Sequence, residues 1–152
     1  MPLFQVIMDN KTKAERSLNM SRIRAKDTKP ELTIRRLLFA DGFRYRIHVK
    51  TLPGTPDLVL PKYRAVIFVH GCFWHGHDGC KYAKLPETHG EFWRDKISKN
   101  KERDQRVRQE LVSGGWRVLT IWTCSINNQA KVKETYTQVK DWILNKAEQS
   151  EL

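Results

Sequence analysis

Cys72, His77, Cys80 and Cys124 are the side chains of this chain whose types and spacing could bind a metal. The run Cys72-x4-His77-x2-Cys80 gathers two thiols and an imidazole in one loop, and Cys124 supplies a distant fourth donor. Thiolate and imidazole donors in this pattern suit tetrahedral zinc. They use all three cysteines of the chain, an odd count that argues against a disulfide framework. His75 or His89 could stand in for His77 as the nitrogen donor, and three unrelated buried thiols are the alternative to a metal. A zinc with four protein ligands keeps no open position, so it would be structural rather than catalytic.

A second set could do acid–base and Lewis-acid chemistry. Pro56-Asp57 stands where a turn enters an apolar stretch. An aspartate there can be a simple turn cap. The neighbouring strand, however, ends at Val69-His70, beside the cysteine loop. One carboxylate and a nearby backbone carbonyl can hold magnesium, which keeps its other positions for water and phosphate oxygens. Such an ion polarises a phosphoryl group and lowers the pKa of bound water. His70 and His75 are the remaining polar groups of the loop. Phosphodiester hydrolysis needs a base for the attacking water and an acid or charge stabiliser for the leaving oxygen, and histidine can do either near neutral pH. Each could instead be a zinc ligand or a structural hydrogen-bonding group.

The elements that must position these groups are legible in the periodicity. Thr28-Lys29-Pro30-Glu31 reads as a capping box with Pro in the first helical turn. Ile34, Leu37 and Leu38 recur at helical spacing until Gly42. Phe43, Tyr45, Ile47 and Val49 alternate with polar residues, which is strand period. A turn at 52–56, a short strand at 57–60, a turn at 61–63 and a buried strand at 64–69 follow. The three strands from 43 to 69 are expected to form an antiparallel meander. After the loop at 70–90 comes a helix over 91–113, with Phe92, Ile97, Val107 and Leu111 inward, stopped by Gly114-Gly115. A strand at 116–122 and a helix at 131–146, with Val132, Tyr136, Val139, Trp142 and Ile143 on one face, complete the chain. Strand 64–69, the crossover helix and strand 116–122 form a βαβ unit, so those strands should be parallel. Cys72 and Cys124 then emerge at one sheet edge. The fold class is α/β: one domain over 1–152, a mixed sheet flanked by helices, with a basic arm at 1–28.

Composition narrows the partner. Lys and Arg number 28 against 17 Asp and Glu, a net charge of +11. A small domain this basic is drawn to a polyanion, nucleic acid or an anionic membrane surface. The opening Met1-Pro2-Leu3-Phe4 run lacks the basic start of a secretory signal, and no run has the apolar length of a membrane span. The expected location is cytoplasmic and nucleoid-associated. Arg16, Arg22, Arg24 and Lys26 of the arm would clamp phosphates, with Met20 the bulky apolar residue placed to insert. Phe73-Trp74 sit in a loop that cannot easily bury both, and Trp93 begins the next helix. Exposed rings there could stack on bases or wedge between base pairs. Trp116, Trp122 and Trp142 fall on regular faces and read as core.

Three segments together resemble a known family. Leu52-Pro53-Gly54-x-Pro56-Asp57, Val66-Ile67-Phe68-x-His70-Gly71-Cys72-Phe73-Trp74-His75 and Gly115-Trp116-Arg117-Val118-Leu119 are similar to the very-short-patch-repair (Vsr) DNA mismatch endonucleases, over roughly residues 12–126. The resemblance implies a restriction-endonuclease-like fold. It also implies magnesium-dependent nicking 5′ of the thymine in a T:G mismatch left by deamination of 5-methylcytosine. It assigns magnesium to Asp57 and the Val69 carbonyl, and the catalytic groups to Asp57, His70, His75 and Glu31. It assigns zinc to Cys72, His77, Cys80 and Cys124, and DNA insertion to Met20, Phe73, Trp74 and Trp93. Asn100, Arg103 and Asp104 resemble a helix motif beside the active site, with Asp104 orienting a histidine. Where many restriction enzymes carry acid-x-Lys after Pro-Asp, this chain has Phe68-Val69-His70, so a histidine stands in the lysine position. The implied partner is duplex DNA with a T:G mismatch, with mismatch-repair proteins as further partners and a monomer as the acting form. Two other readings stay open: a non-catalytic zinc module for distorted DNA, and a zinc-stapled nuclease acting on RNA or on unmismatched DNA.

Overall fold

The computed structural model describes residues 27–145 and 149–152. The arm residues Arg16, Met20, Arg22, Arg24 and Lys26 lie outside the described residues. Helix α1 (Lys29–Ala40) precedes strands β1 (Leu58–Leu60) and β2 (Ala65–His70). Helix α2 (Gly90–Ser113) crosses to β3 (Arg117–Trp122), and α3 (Gln129–Asn145) leads to β4 (Gln149–Glu151). The sheet order is β1-β2-β3-β4. β1 runs antiparallel to β2, while β2, β3 and β4 are mutually parallel neighbours. The parallel β2–α2–β3 unit expected from the sequence is present.

The strand expected at 43–49 is reduced to one antiparallel bridge between Arg46 and Val59. His48 explains the break. Its φ of 53° is left-handed backbone that a strand cannot continue through, and its ring is tied to Asp27 at 2.9 Å. The capping box is also only half made. Thr28 caps no helical N–H with its side chain. Instead Glu31 reaches back to the Asp27 N–H at 3.0 Å and accepts from the Thr28 hydroxyl at 3.2 Å. The C-terminal strand β4 was not foreseen, since Gln149–Glu151 carries no alternating apolar pattern.

Among the described residues, alternation along the strands builds a core on each face of the sheet. Leu58, Leu60, Ala65, Ile67, Leu119 and Ile121 face α1 and α3, where Ile34, Leu38, Val139 and Ile143 bury completely. Val59, Val66 and Val118 face α2 through Leu111, with Phe68 and Val107 alongside. His70 continues the Val66-Phe68 face and so points at α2.

Helix α2 has 24 residues, about 36 Å at 1.5 Å per residue. A six-residue strand spans only about 20 Å. The N-terminal half of α2 therefore overhangs the sheet and packs on the loop that carries Cys72, His77 and Cys80. Trp93, Ile97 and Leu111 are its buried positions, and their stripe (93, 97, 100, 104, 107, 111) leaves Phe92 about 100° away. Phe92, expected inward, is 60% exposed.

Arg117, at the start of β3, ties the layers together. Its guanidinium donates to the carbonyls of Tyr63 at 3.1 Å, Trp142 at 3.0 Å and Ile143 at 2.9 Å. The last two are late carbonyls of α3, where a cation also meets the negative helix end. Arg117→Met should cost about 2 kcal/mol, lowering the melting temperature by roughly 4–8 °C. A thermal melt unchanged within a degree would remove this tie from the account.

Candidate active site and metal centre

In the β2–β3 register His70 pairs with Trp122. Cys72 and Cys124 each lie two residues beyond that pair, so the parallel register delivers both thiols to one end of the sheet. His77 and Cys80 come from a tight loop closed by His77 N–H to the Cys72 carbonyl at 3.0 Å and Cys80 N–H to the His77 carbonyl at 3.3 Å. The ligand atoms of Cys72, His77, Cys80 and Cys124 lie within 4.8 Å of one another. The Cys124 sulfur meets His77 Nδ1 at 3.5 Å, and the His77 ring stacks on Trp122 at 4.1 Å. Neither His75 nor His89 joins the cluster.

The donor chemistry fits a cation. Burial and the neighbouring Cys72 and Cys80 sulfurs push the Cys124 thiol up. The Cys80 thiol is held down: burial opposes this, but the Tyr82 and Ala83 N–H groups and the adjacent thiols outweigh it. Crowded thiols that resist losing their protons together are relieved by a divalent ion. Gly76 lets the loop dock. Its φ is +61°, and a Cβ there would meet Ile97 Cγ2 of α2 at 2.6 Å.

His70 and His75 stack face to face, 3.8 Å apart and 4° from parallel. His75 Nδ1 is 2.6 Å from the Asp104 carboxylate, and Asn100 donates to the Trp74 carbonyl at 2.8 Å. Asn100 and Asp104 occupy core-facing positions of the α2 stripe, and two polar residues in an apolar stripe are the periodic signal that marks them. His70, His75 and Asp104 also group as possible metal ligands. Parallel stacked rings, however, aim their lone pairs side by side rather than at one point, so the arrangement suits holding protons better than an ion. Burial, then the neighbouring His75 ring, pushes His70 down to about 3, which leaves it neutral at working pH. Asp104 stays ionised: burial works against this, and the hydrogen bond to His75 prevails. The pair opens into a cleft of about 680 Å³ that Arg94, Lys101 and Arg108 of α2 also line.

Asp57 sits on the other side of the strand tip. Its carboxylate accepts the Val69 N–H at 2.6 Å. In a strand a residue's N–H and C=O point to the same side, so the Val69 carbonyl faces the same edge. Glu31 of α1 reaches this edge too, with its carboxyl against that of Asp57. An all-oxygen set of this kind suits magnesium. The structure thus brings Asp57, Val69 and Glu31 together, and separately joins His70, His75 and Asp104. Val69-His70 links the two groups along the chain.

The aromatic expectation needs revising in part. Phe73 is buried, 3% exposed, and Trp93 is 9% exposed. Phe73, Trp74 and Trp93 pack edge to face with centroids 5.2–5.8 Å apart. The overhanging end of α2 covers the loop, which is why it can bury Phe73. The exposed ring of the cluster is Phe92, 5.1 Å from Trp93. Sequence reasoning also missed Arg35, buried beside Glu31, and His48 behind it.

Comparison with known proteins gives this site its context. A family profile described as DNA mismatch endonuclease Vsr matches residues 8–83. The DNA mismatch endonuclease Vsr of Escherichia coli (strain K12) is 45% identical over 133 residues, covering 86% of this chain and 85% of that protein. The type II nicking enzyme V.XorIIP of Xanthomonas oryzae pv. oryzae is 44% identical over 122 residues, covering 80% and 89%. The type II nicking enzyme V.NmeAIP of Neisseria meningitidis is 45% identical over 123 residues, covering 81% and 87%. The chain belongs to the Vsr family of DNA mismatch endonucleases. Among the described residues no helix is long and apolar enough to cross a membrane.

Burial, with Glu31 adding to it, pushes Asp57 up to about 7 from an ordinary 3.8, against the pull of the Val69 N–H. A carboxyl raised on folding favours the fold at low pH, and that support is lost as pH climbs through the folded value. Asp57→Asn should therefore stabilise the metal-free protein, with little gain near pH 4 and a gain of up to about 4 kcal/mol at pH 7.5. A gain of equal size at every pH would show that ionisation is not its source.

Proposed function

We propose that this protein nicks one DNA strand on the 5′ side of the thymine in a T:G mismatch, by magnesium-dependent hydrolysis, as the opening step of very short patch repair. The observation that carries the reading is the meeting, at one end of the sheet, of the Asp57–Glu31–Val69 oxygen set and the Asp104-held histidine stack. The fold we assign is the restriction-endonuclease-like one, as a single domain with a basic arm over 1–28, acting as a monomer on nucleoid DNA and handing its product to mismatch-repair proteins.

Asp57 and the Val69 carbonyl, with Glu31 beside them, would hold magnesium, which would polarise the scissile phosphate and acidify its bound water. Cys72, His77, Cys80 and Cys124 would hold a structural zinc that fixes the loop carrying Phe73-Trp74-His75. His75 takes the proton of the attacking water, and Asp104 fixes its ring and steadies the imidazolium that forms. His70 is neutral, so it serves by stacking on His75 and by donating an N–H to developing negative charge. Trp74 and Phe92 offer ring surface to the bases, backed by Phe73 and Trp93. Arg22, Arg24 and Lys26 of the arm meet the phosphates, the source of a strong salt dependence, and Met20 inserts between bases.

A nicking assay with duplexes carrying T:G, other mismatches or none, with and without magnesium, tests this. The T:G duplex should be cut fastest, on the thymine strand, and only with the metal. Asp57→Ala and His75→Ala should each lose at least roughly a hundredfold in rate while binding DNA within a few-fold. Preferred cutting of matched duplex, or of RNA, would replace the reading with a different nuclease. Independently, metal analysis should return one zinc per chain, lost together with thermal stability in Cys124→Ser. A Cys124→Ser protein that keeps its zinc and its melt would remove Cys124 from the ligand set.

A further inference from the structure

Behind Glu31 lies a chain of charges that the cleavage chemistry above does not use. Arg35, one turn along α1, is 7% exposed, and Glu31 is 3% exposed. The Arg35 guanidinium contacts Glu31 Oε2 at 3.1 Å and Asp27 Oδ1 at 2.8 Å. Asp27 in turn takes His48 Nε2 at 2.9 Å. His48 is turned into left-handed backbone, φ 53°, where it makes this contact. The Glu31 carboxylate is gripped on both oxygens, by Thr28 on one and by the Asp27 N–H and Arg35 on the other. On its far side it neighbours the Asp57 carboxyl, whose charge it opposes.

A guanidinium in the apolar layer under α1 is costly unless paired on several sides. Here two acids pair with it, and its Nε–H still finds no partner among the described residues. A purely structural position would be filled more cheaply by an apolar side chain of similar volume. What the arginine provides that such a residue cannot is orientation. Two adjacent carboxylates repel when both are ionised, and the freer one rotates away. Held from behind by a planar fork, Glu31 presents the same face to Asp57 whether or not a cation lies between them.

We propose that Arg35, anchored by Asp27 and His48, is a positioning residue that fixes the Glu31 carboxylate against Asp57 for productive metal binding. This rests on the assignment of Asp57 and Glu31 to the metal site. Positioning and plain stabilisation separate in the magnesium dependence of single-turnover nicking, measured on the duplex that wild type cuts fastest. Arg35→Met should cut the rate at saturating magnesium by roughly 10- to 100-fold. Half-saturation should occur at equal or lower magnesium, because a positive charge near the cation has gone. Arg35→Lys, which keeps the charge but not the fork, should recover part of the rate.

If Arg35→Met does not fold, Asp27→Asn decides the matter, since the Asp27 side chain is 41% exposed and the amide keeps its size. It should slow saturated nicking by roughly threefold to tenfold in a protein that still folds, with only a small drop in melting temperature. Wild-type rates at saturating magnesium in the folded variants would overturn the proposal, as would a rate loss that extra magnesium restores. Asp57→Ala runs in the same assay. If it is inactive while Arg35 and Asp27 variants are normal, only the positioning role falls. If Asp57→Ala itself nicks normally, the metal-site assignment falls, and the positioning role with it.

Discussion

The parallel pairing of β2 with β3 is the constraint on which the rest of the molecule hangs. Its register sets His70 opposite Trp122 and carries the chain onward to Cys72 and Cys124 at the same level. A one-residue slip would turn every side chain of a strand to the opposite face. His70 would leave α2 for the α1–α3 core, and the thiols would no longer converge. The apolar faces on both sides of β2, buried in two separate cores, oppose such a slip. Ordinary hydrophobic packing thus supplies the precision that the polar groups need.

Around that register the site divides by chemistry. Oxygen donors collect at the edge of β1 and α1, where Asp57 caps the Val69 N–H. Sulfur donors collect beyond the β2–β3 pair, where His77 meets the cysteines, while His75 stands apart with His70 and Asp104 on the α2 side. The hard and soft sets are separated by the thickness of one strand. An oxygen set suits a hard cation and a sulfur–nitrogen set a soft one, so the two would not compete for the same ion.

Much of this was legible in the sequence, and the exceptions have physical causes. Helices α1, α2 and α3 and the βαβ unit follow from apolar periodicity, and the cysteine–histidine spacing pointed to the four side chains that the fold gathers as candidate ligands. The strand at 43–49 had the right alternation and still failed, because a tertiary contact to Asp27 twists His48 out of the extended region. Phe92 has the apolar character of an inward residue but not the phase. The stripe through Trp93, Ile97, Val107 and Leu111 leaves it outside. Arg35 was invisible because a buried arginine looks, in sequence, like one more member of a basic helix face. β4 has no apolar pattern at all, since its partner strand supplies the backbone bonds that define it.

Helix α2 carries the ring cluster near its first turn and the His75 partner Asp104 three turns later, on one uninterrupted rod. The two stations share a common angular phase. Adding or deleting one residue between them would swing one station about 100° relative to the other. The spacing from Trp93 to Asp104 is therefore frozen in a way that loop lengths are not. New substrate preferences can arise in this scaffold through the turns at its ends, whereas the interval along this rod behaves as a fixed gauge.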